Sequence, residues 1–412
     1  MTGRERILAA INHKEPDKIP VDCGSMRSSG ISGMSYNKLK EYLNIKDGNT
    51  KIYDVMQQLS IPEEWYLDRF GIDAIDLSRI FSDTPEDWRE WELPDNTKAL
   101  LPTWLNITEE NNQWVCRDDD GEMLAHMPEG VAYFSQNYWP LAGVEKTDFS
   151  DLDVYMRKNA WAYLTDPLWK ESQRPDFFPL LKEKARELNQ KTDRAVVMGF
   201  GGNLFENGQF LYRTDEFLVN LLIDTENMEK MLDRLLEMHL ETLEKVLDSI
   251  SDSVDIIMFG DDLGTQSAPM IDPQLYKKMF YPRHKKMFQM VKDRTDLKVF
   301  LHSCGSIQAF LPDLIDAGLD IINPVQTTAD GMDPYELKKE FGKDLVFWGG
   351  GVDTQHLLPT GTPEEIRKDV RKNAEILMKD GGFVFSQIHN IVTGVPPENI
   401  IAMYDEVNGI NY

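Results

Sequence analysis

Eight short apolar runs, rich in Val, Ile and Phe, alternate with helical segments along most of this chain, and that alternation restricts its fold more than any other feature. The runs are Lys18–Asp22, Ala74–Leu77, Ala195–Gly199, Asp255–Phe259, Lys298–Leu301, Leu319–Ile322, Leu345–Trp348 and Gly382–Phe385. A strand covered by helices outside and by packed side chains inside reads as a continuous apolar run, not as an alternating one. The first run is the least regular, because Pro20 brings no donor to a ladder. Between the runs, 227–249 places Met and Leu at helical spacing with Glu and Lys opposite. Thr362-Pro363-Glu364-Glu365 has an N-cap, a first-position proline and first-turn acids. Pro397-Glu398-Asn399 opens a last helix. Eight strands, most followed by a helix, predict an α/β fold of the (β/α)8 TIM-barrel type.

One stretch, residues 81–177, breaks the rhythm with Trp, Asp, Asn, Pro and Tyr. Within it, Asn111–Cys116 followed by Arg117–Met123 reads as a hairpin with a turn that contains Gly121. The expectation is a single barrel domain over 1–412 with 81–177 as an insertion between the second and third strands, able to roof the active face. A surface excursion without a role fits the same composition.

The bulk numbers narrow the function classes. The 412 residues carry a formal net charge of −26. Such a surface repels phosphate backbones and anionic membranes, so neither nucleic acid nor membrane is an expected partner. No apolar run approaches the ~18 residues of a bilayer span. The opening Met1–Ala10 reads as a short amphipathic helix and not as a signal peptide. Three cysteines, Cys23, Cys116 and Cys304, give no disulfide framework and suit a reducing, cytoplasmic setting. A homodimer remains an open expectation.

Chemistry on a barrel of this type sits at the C-terminal strand ends. The fifth run leads directly into His302-Ser303-Cys304-Gly305. Strand side chains alternate, so His302 and Cys304 leave on one side, an imidazole and a thiol in reach of one small object. That is a soft two-ligand start on a zinc site. Taken alone, it is also what a buried cysteine beside a hydrogen-bonded core histidine looks like. His389, at the end of the last run, is the natural third ligand. Asp261 and Asp262, after the fourth run, are candidate ligands, imidazole-orienting carboxylates, substrate partners or a solvated acidic turn. Arg27, Asn203, Asn323 and Gln326 lie at other strand ends and are candidate substrate-binding residues. The glycines 349–351 lack the spacing of a dinucleotide fingerprint. His13, His126, His239, His284 and His356 read as ordinary.

At these residues the chain resembles the uroporphyrinogen decarboxylase superfamily. The resemblance rests on Arg4-Glu5-Arg6 leading to Pro16-Asp17-Lys18-Ile19-Pro20-Val21, on Phe259-Gly260-Asp261-Asp262, Leu301-His302-Ser303-Cys304-Gly305 and Gly349-Gly350-Gly351-Val352-Asp353, and on the closing Val395-Pro396-Pro397-Glu398-Asn399-Ile400. It implies one of two chemistries: the cofactor-free decarboxylase of haem synthesis, or zinc-dependent methyltransferases that exchange methyl groups with the cobalt of a separate corrinoid (cobalamin) protein. The decarboxylases carry two arginines after the first strand. Here the matching stretch is Met26-Arg27-Ser28-Ser29-Gly30-Ile31, with one arginine in place and isoleucine at the other position. A tetrapyrrole with up to eight carboxylates needs cationic anchors, so the loss favours the methyltransferase branch. That branch carries His-x-Cys after the fifth strand and commonly a cysteine as its third ligand, where this chain has His389.

Within the branch, the resemblance is to components that start O-demethylation of methoxylated aromatic compounds. It implies zinc on His302, Cys304 and His389, Asp261 or Asp262 in proton transfer, and a corrinoid protein as partner. Trp104, Trp114, Tyr133 and Tyr138 are candidates to stack on an aromatic ring. Transfer from methyl-cobalt to a thiol, a uroporphyrinogen decarboxylase, and a non-catalytic barrel that only docks a corrinoid protein are the alternatives.

Overall fold

In the computed structural model, which describes residues 1–81 and 84–412, seven parallel strands form one curled sheet. They are β1 (Ala74–Asp76), β2 (Ala195–Gly201), β3 (Ile256–Gly260), β4 (Lys298–His302), β5 (Ile321–Asn323), β6 (Val346–Trp348) and β7 (Phe383–Val384). Each pairs with the next in parallel register. The expected eighth strand, Lys18–Asp22, is reduced to one residue. Val21 bridges Phe385 on one side and Ile72 on the other, and this closes the ring.

The reduction has a local cause. Pro20 has no N–H to give, and the Val21 N–H donates to the Asp73 carboxylate at 3.0 Å. The carbonyls still act as a strand's do: Pro20 accepts from Phe385 N and Val21 from Asp73 N, at 2.8 and 2.7 Å. Asp73 in turn takes the Arg6 guanidinium at 2.6 Å. Both partners of that ion pair are buried, and burial pushes the Asp73 carboxyl up to about 6.

Strand alternation fills the inside of the ring. Ala195, Val197, Ile256, Phe300, Ile321, Val346, Trp348 and Val384 meet there, and Ile7, Ala10 and Ile11 of the first helix, Gly3–Ile11, plug one end. Two residues beyond Phe300 and Ile321 stand His302 and Asn323, on the same inward side. The outer faces pack on amphipathic helices such as Thr225–Ile250, which buries Met228, Met231, Leu232, Leu235 and Leu236. The helix expected after Thr362 runs Pro363–Leu377 behind a complete capping box. The helix opened by Pro397 runs to Asn408.

Between β1 and β2 the chain makes antiparallel structure. Trp88–Glu92 pairs with Lys98–Pro102, and a four-stranded sheet includes the expected hairpin, Gln113–Arg117 against Met123–Pro128. A separate apolar cluster holds it, with Trp91, Leu101, Leu124 and Leu164 packed on Ile52 and Met56. Residues 82 and 83 of the expected insertion lie outside the described residues. Among the described residues, no helix is long and apolar enough to cross a membrane.

Asp73→Ala should destabilise the fold by about 3 kcal/mol or more, since it strands a buried guanidinium and the Val21 N–H at the point of closure. Urea unfolding followed by circular dichroism measures this; a loss below about 1 kcal/mol would show that closure does not depend on Asp73.

Candidate metal centre

The parallel register sets His302 opposite Asn323 across β4 and β5. The Asn323 amide is fully buried and bonded at both its nitrogen and its oxygen. Its Nδ2 donates to the Trp348 carbonyl at 2.8 Å, which turns Oδ1 towards His302. Oδ1 accepts from Ser28 Oγ at 2.9 Å and lies 2.7 Å from His302 Nδ1. An amide oxygen only accepts, so Nδ1 carries the proton and Nε2 carries the lone pair. That Nε2 lies 3.4 Å from Cys304 Sγ.

Cys304 is fixed by the turn that carries it. Its N–H donates to Asp262 Oδ1 at 2.7 Å. Gly305 follows with φ of +86°, and a Cβ there would come 2.4 Å from the Gly264 carbonyl carbon. Only glycine lets the two loops pass so closely. Burial, then Asp262 and Glu206, push the Cys304 thiol well above its ordinary value. Without a neighbouring cation this sulfur keeps its proton.

His389, after β7, completes the group, its ring centroid 5.8 Å from that of His302. Burial and the neighbouring His302 lower its imidazole to about 4, which leaves it neutral, the ligand form, at physiological pH. One donor atom from each of His302, Cys304 and His389 lies within 4.8 Å of the other two. Tetrahedral zinc with bonds of about 2.0–2.3 Å spaces such donors about 3.3–3.6 Å apart. Two imidazoles and a thiol at this spacing therefore fit zinc, with one coordination position left for another ligand.

The two aspartates part company. Asp262 faces the donors, with Oδ1 also 3.5 Å from His302 Nε2. Asp261 is fully buried. It accepts from the backbone N–H groups of Leu204, Phe205 and Glu206 at 3.1, 2.9 and 2.8 Å. His284 Nε2 lies 3.1 Å from it, and Tyr276 OH lies 3.1 Å from His284 Nδ1. Asp261 thus ties down the start of the helix Phe205–Tyr212. That helix brings Glu206 beside Asp262, a residue the sequence reading did not single out. Burial, then Asp262 and Asp261, raise the Glu206 carboxyl to about 8. Asn203 Nδ2 donates to Glu206 at 2.5 Å.

The other expected residues are engaged with partners of their own. Gln326 braces the Cys304 turn, accepting from Gly305 N and donating to Gln266, both at 2.8 Å. Arg27 bonds Thr165 of the excursion. Of the four aromatic candidates, Trp114 packs on Trp91 and Trp104 on Tyr163. Tyr138 joins the excursion's apolar cluster. The Tyr133 hydroxyl accepts from Thr393 N, close in sequence to His389. His239, read as ordinary, holds the Asn203 carbonyl at 3.1 Å.

Several known proteins are similar to this chain in sequence or fold. The family model described as Uroporphyrinogen decarboxylase (URO-D) matches residues 155–410. A uroporphyrinogen decarboxylase of Thermosynechococcus vestitus is 22% identical over 301 residues, 69% of this chain and 82% of that protein. A methylated-thiol–coenzyme M methyltransferase of Methanosarcina mazei is 23% identical over 136 residues, a third of each chain (33% and 33%). Among solved structures, a methyltransferase from Methanosarcina mazei superposes with a TM-score of 0.58 at 17% identity, covering 99% of this chain and 98% of its own. The last match speaks for the fold.

Asn323→Ala should leave the barrel folded and weaken zinc binding about 10–100-fold, because His302 loses the group that fixes its tautomer. Competition against a chromophoric chelator measures this, and unchanged affinity would remove Asn323 from the site. The raised Cys304 thiol sets a sign for pH. Zinc uptake must displace its proton, so affinity should rise about tenfold per pH unit between about 6.5 and 8. A flat profile would mean that Cys304 does not ligate through its thiolate.

Proposed function

The chain belongs to the uroporphyrinogen decarboxylase family, and from that footing we propose that it is a zinc-dependent methyltransferase. In this reading it takes a methyl group from a methoxylated, aromatic small molecule and delivers it to the cobalt of a corrinoid carried by a partner protein. The observation that carries the proposal is the convergence of His302, Cys304 and His389. Decarboxylation without a cofactor has no use for a soft donor set, whereas methyl transfer from an ether oxygen has a poor leaving group. A zinc ion held by these three residues would supply Lewis acidity to the oxygen from which the methyl departs.

The chain's own residues do the rest. Asn323 and Ser28 keep His302 in the ligating tautomer. Cys304 gives up its proton when it becomes a donor. Glu206, protonated at neutral pH beside Asp262, stands ready to protonate the oxygen left behind, and Asp262 is placed to hold a neighbouring hydroxyl. Asp261 acts as a positioning residue, because it holds the Glu206 backbone. The excursion between β1 and β2 is proposed to cover the mouth and contribute aromatic surface. The stretch after Val21 supports the choice against a tetrapyrrole: Arg27 is its single arginine, too few cationic anchors for a molecule with many carboxylates. A thiol acceptor, methylated from cobalt, is the second reading; the match to a methylated-thiol–coenzyme M methyltransferase favours it.

Metal quantification on the purified protein, followed by a methyl-transfer screen with cob(I)alamin and a panel of methoxyarenes, tests the proposal. The expected result is about one zinc per chain and cobalt methylation with at least one arene. Cys304→Ala should lose both while circular dichroism and melting temperature stay as in the parent; full activity in that variant would end the proposal. Methylation of thiols from methylcobalamin alone would select the second reading, and conversion of uroporphyrinogen would select the decarboxylase.

A further inference from the structure

The helix that carries Glu206 is held by the excursion as well as by the barrel. Gln136 Nε2 donates to the Phe210 carbonyl at 2.9 Å, and Leu141 N to the Leu211 carbonyl at 2.9 Å. Trp161 stacks on Phe210, with centroids 5.7 Å apart and planes 23° from parallel. These contacts grip the far end of Phe205–Tyr212. A further one reaches the end that bears the acid.

That contact is a run of amides. Asn159 is 2% exposed. Its Oδ1 caps the short helix Ala160–Thr165, accepting from Trp161 N at 3.0 Å and Ala162 N at 3.3 Å. The amide therefore turns Nδ2 the other way, where it donates to Asn207 Oδ1 at 3.0 Å. Asn207, also buried, directs its own Nδ2 to the Asn203 carbonyl at 2.7 Å. His239 Nε2 meets the same carbonyl at 3.1 Å. A carbonyl only accepts, so both partners donate and the Asn203 backbone is held from two sides. Asn203 Nδ2 then donates to Glu206 Oε2 at 2.5 Å. Every donor points the same way, from the excursion to the acid.

The Asn203 amide is seated against bare backbone. A Cβ on Gly260, at the end of β3, would come 2.4 Å from Asn203 Nδ2 and 3.0 Å from its Cγ. A protonated carboxyl accepts through its carbonyl oxygen. With Oε2 taken up by Asn203, the proton of Glu206 belongs on Oε1. When that proton passes to the departing oxygen, the Oε1–H bond breaks and its electron pair stays on Glu206. The Asn203 N–H then meets the new negative charge.

We propose that Asn159 of the excursion is a positioning residue for Glu206, acting through Asn207 and Asn203, so that the seat of the excursion sets which carboxyl oxygen offers the proton. The inference rests on Glu206 being the acid of the proposed reaction.

Infrared difference spectra of the purified full chain test this, at a pH well below the Glu206 value of about 8. Each protein is measured against the same protein carrying Glu206→Gln, which isolates the Glu206 carboxyl band. Asn203→Ala should move that band to higher wavenumber, because the carbonyl oxygen loses its donor. Asn159→Asp keeps an oxygen cap on Ala160–Thr165 and removes the donor to Asn207, so it should move the band the same way. The double variant should move it no further than Asn203→Ala alone, since both act along one chain. Gln136→Ala, which loosens the same helix elsewhere, should leave the band in place. An unmoved band in either single variant, additive shifts in the double variant, or an equal shift in Gln136→Ala would each overturn the assignment. The band is read without methyl transfer, so this result stands apart from the proposed reaction. In methyl transfer, Asn159→Asp should lower kcat about tenfold and keep KM within about threefold. A moved band with unchanged kcat would remove Glu206 from the reaction and leave its positioning by Asn159 intact.

Discussion

A neutral imidazole has one lone pair to offer, and which nitrogen offers it depends on what the other nitrogen touches. In this protein the decision rests with Asn323. Its amide is oriented by the Trp348 carbonyl and its oxygen is shared between Ser28 and His302. Three neighbouring strands thereby contribute to a single protonation choice: β4 the histidine, β5 the amide, β6 the carbonyl. The arrangement exists only while the parallel ladder keeps His302 level with Asn323. The ring that holds the ladder closes at Val21, through its two bridges and the buried Arg6–Asp73 pair. Chemistry at one end of the barrel and ion pairing near its closure are parts of one construction.

The electrostatics around the triad point in one direction. The Cys304 thiol is raised by burial and by two neighbouring acids, and Glu206 is raised by burial and the same group of carboxylates. Groups that become negative on ionisation are gathered where water is scarce, and two of them keep their protons. A divalent cation reverses both penalties at once, because it stabilises the thiolate and screens the acids. The neutral His389 asks nothing of pH in return.

Much of this was readable beforehand, for definable reasons. Seven of the eight runs became strands because uninterrupted Val, Ile and Phe suit only a sheet covered on both faces. The eighth shrank to a bridge because Pro20 lacks a donor and a side chain, Asp73, claimed the Val21 N–H. Alternation continued past the end of β4 suggested the pairing of His302 and Cys304, and the turn at Asp262 and Gly305 fixes it. The polar supports were less legible. Ser28 lies 295 positions from Asn323, so no local pattern announces their hydrogen bond. Asp261 and Asp262 look interchangeable in the sequence, but the turn sends one into backbone amides and the other towards the donors. Glu206 was hidden for a related reason: it reads as an ordinary first-turn acid of its helix, and only Asp261's hold on its N–H places it beside Asp262.

The triad and its amide clamp come from the arc β4 to β7, while the antiparallel excursion springs from the opposite arc, between β1 and β2, on an apolar cluster of its own. Contact between the two arcs is made at points, such as Tyr133 with Thr393, and Arg27, after Val21, meets Thr165 from the closure. The excursion can therefore change in length and side chains without moving the strand ends that carry His302, Cys304 and His389.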